Sequence, residues 1–456
     1  VLLHKIECLA GRKKFSVQFR LFLFFSKRQL NIANNRKISG KIEIPFQYEY
    51  YLRISGRILL PFTRKQHHTM SHPVYFDNAA TTPLAKEVLE AMMPYLSTHF
   101  GNPSSTYSLG RTTRLAVETA RKTVAQLLGT QPGAIYFTSG GTESNNTAIA
   151  AALRDLGCDH IITSPTEHHA VLHTVEYYSR YNNISYSLVK LTPTGEVDYE
   201  NLAQLLQQHS TNGHKCLVSL MHANNEIGSL LDMKRVADLC KQHDAVFHSD
   251  CVQTVGHYPL NLSEVDVHFI SGAGHKFHGP KGVGILYVNP ALKIQPLIYG
   301  GGQERNMRAG TENVYGITGF AKALELAMQH YEKDSAHIAS VKSYMKQRLQ
   351  ESIPGVRFNS PDNSLYTVLS VCFPKTPQSE SLLLELDMQG VCVSGGSACS
   401  SGSGGSHVIQ ALGGRENCTT IRFSFSKYNT KEEVDQVIGI LKNILNSESV
   451  AMSSAM

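Results

Sequence analysis

Closely spaced cysteine pairs are missing from this 456-residue chain, which contains nine cysteines and no CxxC motif. Without such pairs, a structural zinc site has little support. The cysteines are scattered, several of them within apolar runs, and this distribution predicts a reducing compartment rather than a framework of disulfides. Cys216 and Cys372 in particular have the apolar surroundings that are typical of buried, unreactive thiols.

A hydrophobic run long enough to span a membrane is also missing. The run Leu21–Phe25 is far shorter than the roughly 20 apolar residues that a transmembrane helix needs. No small-residue cleavage site follows this run, so it does not have the pattern of a signal peptide. We therefore expect no membrane association.

An excess of basic residues is confined to one end of the chain. The formal net charge is +6, but residues 1–69 hold 14 Lys and Arg against three acids. The remaining residues hold 29 Lys and Arg against 34 acids. Because most of the chain is mildly acidic, the total charge does not indicate direct binding to nucleic acid.

Residues 1–69 differ in pattern from the rest of the chain. They show no sustained amphipathic period, and ordered patterning begins directly after Met70. We predict that Met70 is the natural start and that residues 1–69 are a non-native or disordered leader, which implies a cytoplasmic protein. The alternative is a genuine organelle-targeting leader, because the segment is basic and poor in acids.

Helical and extended patterns alternate between residues 86 and 331. Residues 111–128 carry apolar side chains at helical spacing, and this helix ends at Gly129. Short apolar runs predict buried strands at 134–138, 160–163, 216–221, 245–248, 267–270 and 284–288. This alternation predicts an α/β fold with a mostly parallel central sheet and helices on both faces. Ligands of such folds bind at the carboxyl ends of the strands.

The pattern changes after residue 331. A long helix over 332–351 leads to strands at 368–373 and 420–424, with a Gly- and Ser-rich segment at 394–406 between them. A last helix covers 431–445. We predict a large domain at 86–331 and a smaller α+β domain formed by 70–85 and 332–456.

Glycines follow the first predicted strand of the large domain. Gly140 and Gly141 stand between this strand and a helix, where backbone N–H groups at the positive end of the helix dipole suit a phosphate. The alternative is an ordinary glycine turn in which Thr142 caps the helix.

An acid and a lysine follow two later strands. Asp250 ends a buried strand, where a carboxylate is costly without a partner such as a protonated pyridine nitrogen. Lys276 lies between glycines after the next strand and can form an imine with an aldehyde if its pKa is lowered. Taken singly, the acid is more often a cap or salt bridge and the lysine more often faces solvent. Together, in this order after a phosphate cradle, they have the layout of an enzyme that uses pyridoxal phosphate (PLP).

Here the sequence resembles a known family, the cysteine desulfurases. These are PLP enzymes of aminotransferase class V, with the type I fold of PLP-dependent transferases. The resemblance extends from Val74 to Ile440. The ordered motifs that carry it are Tyr75–Thr82, Gly101–Ser105, Phe137–Glu143, Thr166–His168, Met221–Glu226, Asp250, Lys276, Arg308–Asn313, Gly396–Cys399 and Ile421–Ser424.

The resemblance implies a role for each motif residue. Lys276 would hold PLP and remove the substrate Cα proton, Asp250 would pair with the ring nitrogen, and His168 would stack on the ring and move protons. Arg422 would bind the carboxylate of the substrate, L-cysteine. The other implied contacts are Asn225 and Gln253 near the ring hydroxyl, Gly141, Thr142 and His275 at the phosphate, and Thr311 at the phosphate of a second subunit in a homodimer.

Cys399 lies in Ser394–Ser406, a segment without bulky apolar residues, so it is not a packing cysteine. By resemblance, its thiolate attacks the sulfur of L-cysteine, alanine is released, and the sulfur is held as a persulfide. The implied partners are sulfur-acceptor proteins of iron–sulfur cluster or tRNA-thiolation pathways. No resident metal is expected, although Cys399 could contact an iron–sulfur cluster transiently.

One departure from the family pattern affects the phosphate site. The family usually has a serine three residues before the lysine, whereas this chain has Ala273, with Ser271 as the candidate replacement. Three other functions stay open at this point: a selenocysteine lyase, another class V aminotransferase, and a non-catalytic sulfur-transfer scaffold.

Overall fold

The computed structural model describes residues 73–395, 405–413 and 418–446, together with the backbone of four short strands earlier in the chain. The chain divides into two compact units, Val1–His68 and Thr69–Met456. The first unit contains two pairs of antiparallel strands. In the described residues of the whole chain, no helix has the length and apolar composition needed to cross a membrane. The paired strands are β1 (Lys5–Ala10) with β2 (Lys13–Gln18) and β3 (Arg53–Ile54) with β4 (Arg57–Ile58).

A seven-stranded sheet forms the centre of the second unit, after a short first strand, β5 (Val74–Tyr75). The order across the sheet is β6-β12-β11-β10-β9-β7-β8, and only β12 runs antiparallel to its neighbours. The prediction of a mostly parallel sheet is confirmed. The strands are β6 (Ile135–Thr138), β7 (His160–Thr163), β8 (Ser185–Leu188), β9 (Cys216–Ser219), β10 (Val246–Asp250), β11 (Phe269–Ala273) and β12 (Gly284–Val288).

Helices cover both faces of this sheet. Successive side chains of a strand point to opposite faces, and in β9 Val218 joins one apolar core while Leu217 joins another. The first core receives side chains from α1, α2, α5, α6 and α7, and the second from α3 and α4. These helices are α1 (Lys86–Ser97), α2 (Ser108–Leu127), α3 (Gly141–Arg154), α4 (His169–Asn182), α5 (Tyr199–Thr211), α6 (Met233–Gln242) and α7 (Val314–Gln329).

A third core lies in the carboxyl-terminal part of the chain, where α8 and α12 pack with β14 and β16. This mixture of helices and antiparallel strands has the predicted α+β character, but the boundary at residue 331 stays a prediction. The elements are α8 (Tyr331–Ser352), β13 (Arg357–Phe358), β14 (Val368–Pro374), α9 (Pro377–Glu380), α10 (Leu382–Met388), β15 (Val391–Cys392), α11 (His407–Ala411), β16 (Cys418–Ser424) and α12 (Lys431–Asn446).

A disulfide joins Cys372 to Cys418, so the prediction that Cys372 is a free packing thiol was wrong. The reason is the antiparallel register of β14 and β16, which pairs Cys372 with Thr420 and Pro374 with Cys418. The two cysteines are therefore diagonal neighbours on adjacent strands, and their Cα atoms are 5.4 Å apart.

A buried ion pair holds the segment before Thr311 against the sheet. Arg121, on α2, donates from Nη1 to Glu304 Oε2 (2.7 Å) and from Nη2 to Glu304 Oε1 (3.0 Å). The Phe137 backbone N–H donates to the same carboxylate, and Arg121 Nη1 also donates to the Ile135 carbonyl. Both side chains are almost wholly buried, and Glu304 depends on Arg121 for compensation of its charge, whereas Arg121 also pairs with Glu118 (Nε to Oε1, 3.1 Å).

We expect Arg121→Met to lower the free energy of unfolding by about 3–5 kcal/mol, because it leaves Glu304 buried without its partner. The matched control is Arg305→Met, which removes an exposed pair with Glu118 and should cost less than about 1 kcal/mol. Urea unfolding curves of the three proteins measure both effects. Equal losses in the two variants would contradict the assignment.

Candidate functional site

The segments that follow β6, β7, β9, β10 and β11 meet at the carboxyl edge of the sheet. They surround a cleft with about 850 Å³ of space not filled by protein atoms. Both faces of the sheet are covered by helices, so the strand ends are where polar side chains can reach a ligand. Nine of the predicted site residues line this cleft: Gly141, Thr142, His168, Asn225, Asp250, Gln253, His275, Lys276 and Arg422.

Lys276 follows β11 directly, in a single turn of 3₁₀ helix. Its Nζ donates to the carbonyl oxygens of Ala79 (2.6 Å) and Ala80 (2.9 Å). The Gln253 side-chain amide donates to the same Ala79 carbonyl at 3.1 Å. The amine is thus held at the cleft wall by a backbone turn, rather than pointing into solvent.

Asp250 is the last residue of β10 and is 7% exposed. Its Oδ1 accepts the Val252 backbone N–H at 2.9 Å, and its Oδ2 accepts Asn145 Nδ2 at 2.6 Å. These donors stabilise a carboxylate in a buried position. Because Asp250 also lines the cleft, a protonated ring nitrogen would have access to it.

His168 precedes α4 and caps it, since its Nδ1 accepts the Ala170 backbone N–H at 3.0 Å. Burial lowers the pKa of His168, which favours the neutral ring. Because Nδ1 is an acceptor, the ring hydrogen of the neutral form is on Nε2. The next residue, His169, packs on the rings of His173 and His407 and does not line the cleft.

The amino terminus of α3 forms one end of the cleft. The helix begins at Gly141 with Gly140 as its N-cap, so the alternative in which Thr142 caps the helix was wrong. A Cβ on Gly141 would lie 2.5 Å from Val252 Cγ2, so a larger residue there would force the Val252 side chain to move. Gly141 and Thr142 line the cleft, so the amino terminus of α3, with its unpaired backbone N–H groups, lies at the cleft and suits a phosphate.

Two further residues were predicted to bind the phosphate. His275 lines the cleft, and burial lowers its pKa to about 4, so a neutral ring can contribute one N–H. The second nitrogen, Nδ1, lies 3.2 Å from Thr81 Oγ1. Thr311 is exposed and does not line the cleft of its own chain.

Ala273 lines the cleft close to Gly141, where the family usually has a serine. Ser271 does not replace this hydroxyl. It is fully buried, it does not line the cleft, and its Oγ lies 3.3 Å from His248 Nε2. The phosphate end of the cleft thus lacks one hydroxyl donor.

We expect Ala273→Ser to lower the dissociation constant of PLP by about tenfold, because it adds a hydrogen bond to a charged group. Fluorescence titration of apo-protein with PLP measures this change. Ala273→Val, which adds volume without a hydroxyl, is the matched control and should weaken binding. A dissociation constant unchanged by serine would place the phosphate elsewhere.

Arg422 is a buried residue of β16. Nη2 donates to Asp77 Oδ1 at 2.7 Å, and Nη1 donates to the Asn225 carbonyl at 2.8 Å. Its Nε has no hydrogen-bond partner within the described residues. Arg422 also lines the cleft, where a guanidinium is suited to bind a carboxylate.

Cys399 lies outside the described residues, but both ends of its segment are anchored. Ser394 forms a pair of backbone hydrogen bonds with Arg422. Ser406 Oγ donates to Glu226 Oε2 at 2.5 Å. Both anchors adjoin the cleft, because Arg422 lines it and Glu226 follows Asn225, which also lines it.

Asn145 and Asp77 are functional candidates that the sequence analysis missed. Asn145 bonds Asp250, and Asp77 bonds Arg422. Asn145 is one helical turn beyond Gly141 on the cleft side of α3, which was an available signal. Nothing local marks the pairing of Asp77 with a residue 345 positions away.

Known proteins are similar to this chain in sequence. A family model described as aminotransferase class-V matches residues 74–437. A protein named cysteine desulfurase IscS from Dictyoglomus turgidum is 44% identical over 384 residues, which cover 82% of this chain and 95% of the relative. Another of the same name, from Methanosarcina thermophila, is 41% identical, with coverages of 83% and 93%.

Solved structures agree with these relatives. A NifS-like protein matches with a TM-score of 0.75 and 37% identity, over 82% of this chain and 99% of the other. A structure described as SspA in complex with cysteine matches with a TM-score of 0.69 and 32% identity, over 78% and 100%. The predicted fold is therefore confirmed.

Proposed function

We infer that this chain, which belongs to the aminotransferase class-V family, is a PLP-dependent cysteine desulfurase that takes sulfur from L-cysteine and leaves L-alanine. The observation that carries the inference is the convergence of Lys276, Asp250 and Arg422 on one cleft. The names of the relatives, and a similar protein solved with cysteine, support this choice of substrate.

The cleft fits PLP at three points. The amino terminus of α3 suits the phosphate, Asp250 suits the ring nitrogen, and Lys276 suits the aldehyde. When bound, PLP supplies an aldehyde that reacts with amines and a ring that withdraws electrons from the Cα of an amino acid. Within the described residues, no group of His, Cys, Asp or Glu could hold a metal ion.

Side chains around the cleft bind the substrate and move protons. Arg422 lines the cleft and binds the substrate carboxylate, while Asp77 and the Asn225 carbonyl hold the guanidinium in place. Lys276 Nζ removes the proton from the substrate Cα. His168 presents a neutral ring whose Nε2–H can donate a hydrogen bond at the cleft.

Cys399 takes the sulfur. Its thiolate attacks the substrate sulfur, a new S–S bond forms, and the substrate C–S bond breaks with its electron pair retained on the carbon side. Protonation of that carbon gives alanine. Cys399 is five residues from the anchored Ser394, a length that reaches at most roughly 17 Å. This reach allows contact with the cleft and with an acceptor protein outside it.

We expect Lys276→Ala to abolish both products and the visible colour, because the lysine holds PLP and moves the proton. Cys399→Ser should retain the colour and bind L-cysteine, yet release no sulfide. Absorbance spectra, together with sulfide and alanine assays in the presence of a reductant, measure these effects. Cys392→Ser, a half-buried cysteine before the same segment, is the matched control and should keep sulfide release.

The ratio of products tests the function itself. A desulfurase releases sulfide and alanine in equal amounts. A keto acid in place of alanine would indicate an aminotransferase and would overturn the proposal. Substantial sulfide release by Cys399→Ser would overturn only the role of Cys399.

We also propose that the enzyme is a homodimer. The packed helices α1, α2 and α7 expose large apolar side chains, among them Met93, Leu96, Leu115 and Tyr315. Burial of such a surface against a second copy is favourable. Thr311 lies three residues before the start of α7 and is exposed, so it is available to a site other than its own. We propose that it completes the phosphate site of the partner subunit.

This arrangement predicts complementation between two defective variants. Thr311→Val should weaken PLP binding by about tenfold, because the partner's phosphate loses a hydroxyl donor, and Lys276→Ala should be inactive. A mixed dimer carries one site with both Lys276 and Thr311, so refolding the two together should restore sulfide release at low PLP. If the mixture released no more sulfide than the separate variants, Thr311 would not contribute to the site of the partner subunit.

The cytoplasmic location stays a prediction from the sequence. Sulfur acceptors of iron–sulfur assembly or tRNA thiolation are the proposed partners, since a persulfide on Cys399 needs a thiol acceptor. Transfer of radioactive sulfur from the persulfide to a candidate carrier would identify one.

A further inference from the structure

A chain of buried hydrogen bonds lies behind Asp250 and plays no part in the steps above. Ser219 Oγ lies 2.8 Å from His248 Nδ1, and His248 Nε2 lies 3.2 Å from Asn145 Oδ1 and 3.3 Å from Ser271 Oγ. Asn145 Nδ2 then donates to Asp250 Oδ2 at 2.6 Å. Ser219 and His248 are fully buried, and Asn145 is 1% exposed.

The carboxylate at one end of this chain determines every hydrogen in it. An ionised Asp250 only accepts, so Asn145 must direct its NH₂ group to Asp250 and its Oδ1 to His248. The oxygen Oδ1 also only accepts, so His248 must carry a hydrogen on Nε2. Burial lowers the pKa of His248 to about 4, so the ring is neutral and its Nδ1 accepts from the Ser219 hydroxyl.

We propose that His248 and Asn145 are positioning residues that hold the Asp250 carboxylate in the orientation that binds the pyridine nitrogen of PLP. Asn145 is in direct contact with Asp250, whereas His248 acts through Asn145. Without the Nε2 donor, the Asn145 amide is free to turn over, and its oxygen would then face the carboxylate and repel it. The network thus keeps one amide in the orientation that the charged site needs.

A packing role for His248 and the proposed positioning role predict different effects of substitution. His248→Phe keeps a flat buried ring but removes the Nε2 donor, and His248→Gln keeps an N–H that can reach Asn145 Oδ1. His160 offers the matched control: it is a buried histidine of β7, its nitrogens bond Ser185 and Ser187, and it has no link to Asp250. His160→Phe removes comparable contacts elsewhere in the same sheet.

The decisive test measures the dissociation constants of PLP and of a PLP analogue in which carbon replaces the ring nitrogen. We expect His248→Phe and Asn145→Leu each to weaken PLP binding by about tenfold. Binding of the analogue, which gives Asp250 no nitrogen to hold, should not change. His248→Gln should restore PLP binding, and His160→Phe should leave both ligands unaffected.

The double variant of His248→Phe and Asn145→Leu should be no worse than either single variant, because both interrupt one path. If His248→Phe weakened binding of PLP and of the analogue equally, His248 would have only a packing role, and the proposal would be overturned. The inference rests on the proposed function only through PLP as the ligand. Sulfide release by the unaltered enzyme is scored separately, so failure of the relay and failure of the desulfurase assignment give different results.

Discussion

The covering of both sheet faces by apolar helices is the constraint on which the site depends. Residues such as Leu217 and Val218 alternate between two closed cores, so polar side chains have no outlet along the strands. They reach a ligand only where parallel strands end, at one edge of the sheet. Asp250 and Lys276 meet there although 26 positions separate them, because β10 and β11 are parallel neighbours.

The same edge is closed from the other side by β16. Arg422 reaches across to the Asn225 carbonyl and to Asp77, and its own backbone pairs with Ser394. One residue thereby joins the cleft to the beginning of the segment that carries Cys399. Fixing the guanidinium by two bonds reduces the freedom that binding a carboxylate would otherwise cost.

Motif order predicted nearly all of the cleft, because cofactor contacts come from short segments directly after strands. Local patterns also gave the central strands, apart from β8, whose Ser185–Leu188 lie at an exposed edge without a buried run. Strand register, and contacts between residues far apart in the chain, could not be predicted from local patterns. The bond between Cys372 and Cys418 follows from a strand register, and the role of Ser271 follows from the inward position of His248. Both depend on how separate strands align in space.

Two buried carboxyl groups, those of Glu167 and Asp250, have different surroundings and therefore different charges. Glu167 is completely buried with one backbone donor, from Met221, and burial followed by the nearby charge of Asp250 raises its pKa well above the usual range. Asp250 instead receives two N–H donors and lies at the cleft. A neutral Glu167 adds no like charge beside Asp250, so the negative charge is concentrated on the one carboxylate that the Asn145 amide orients.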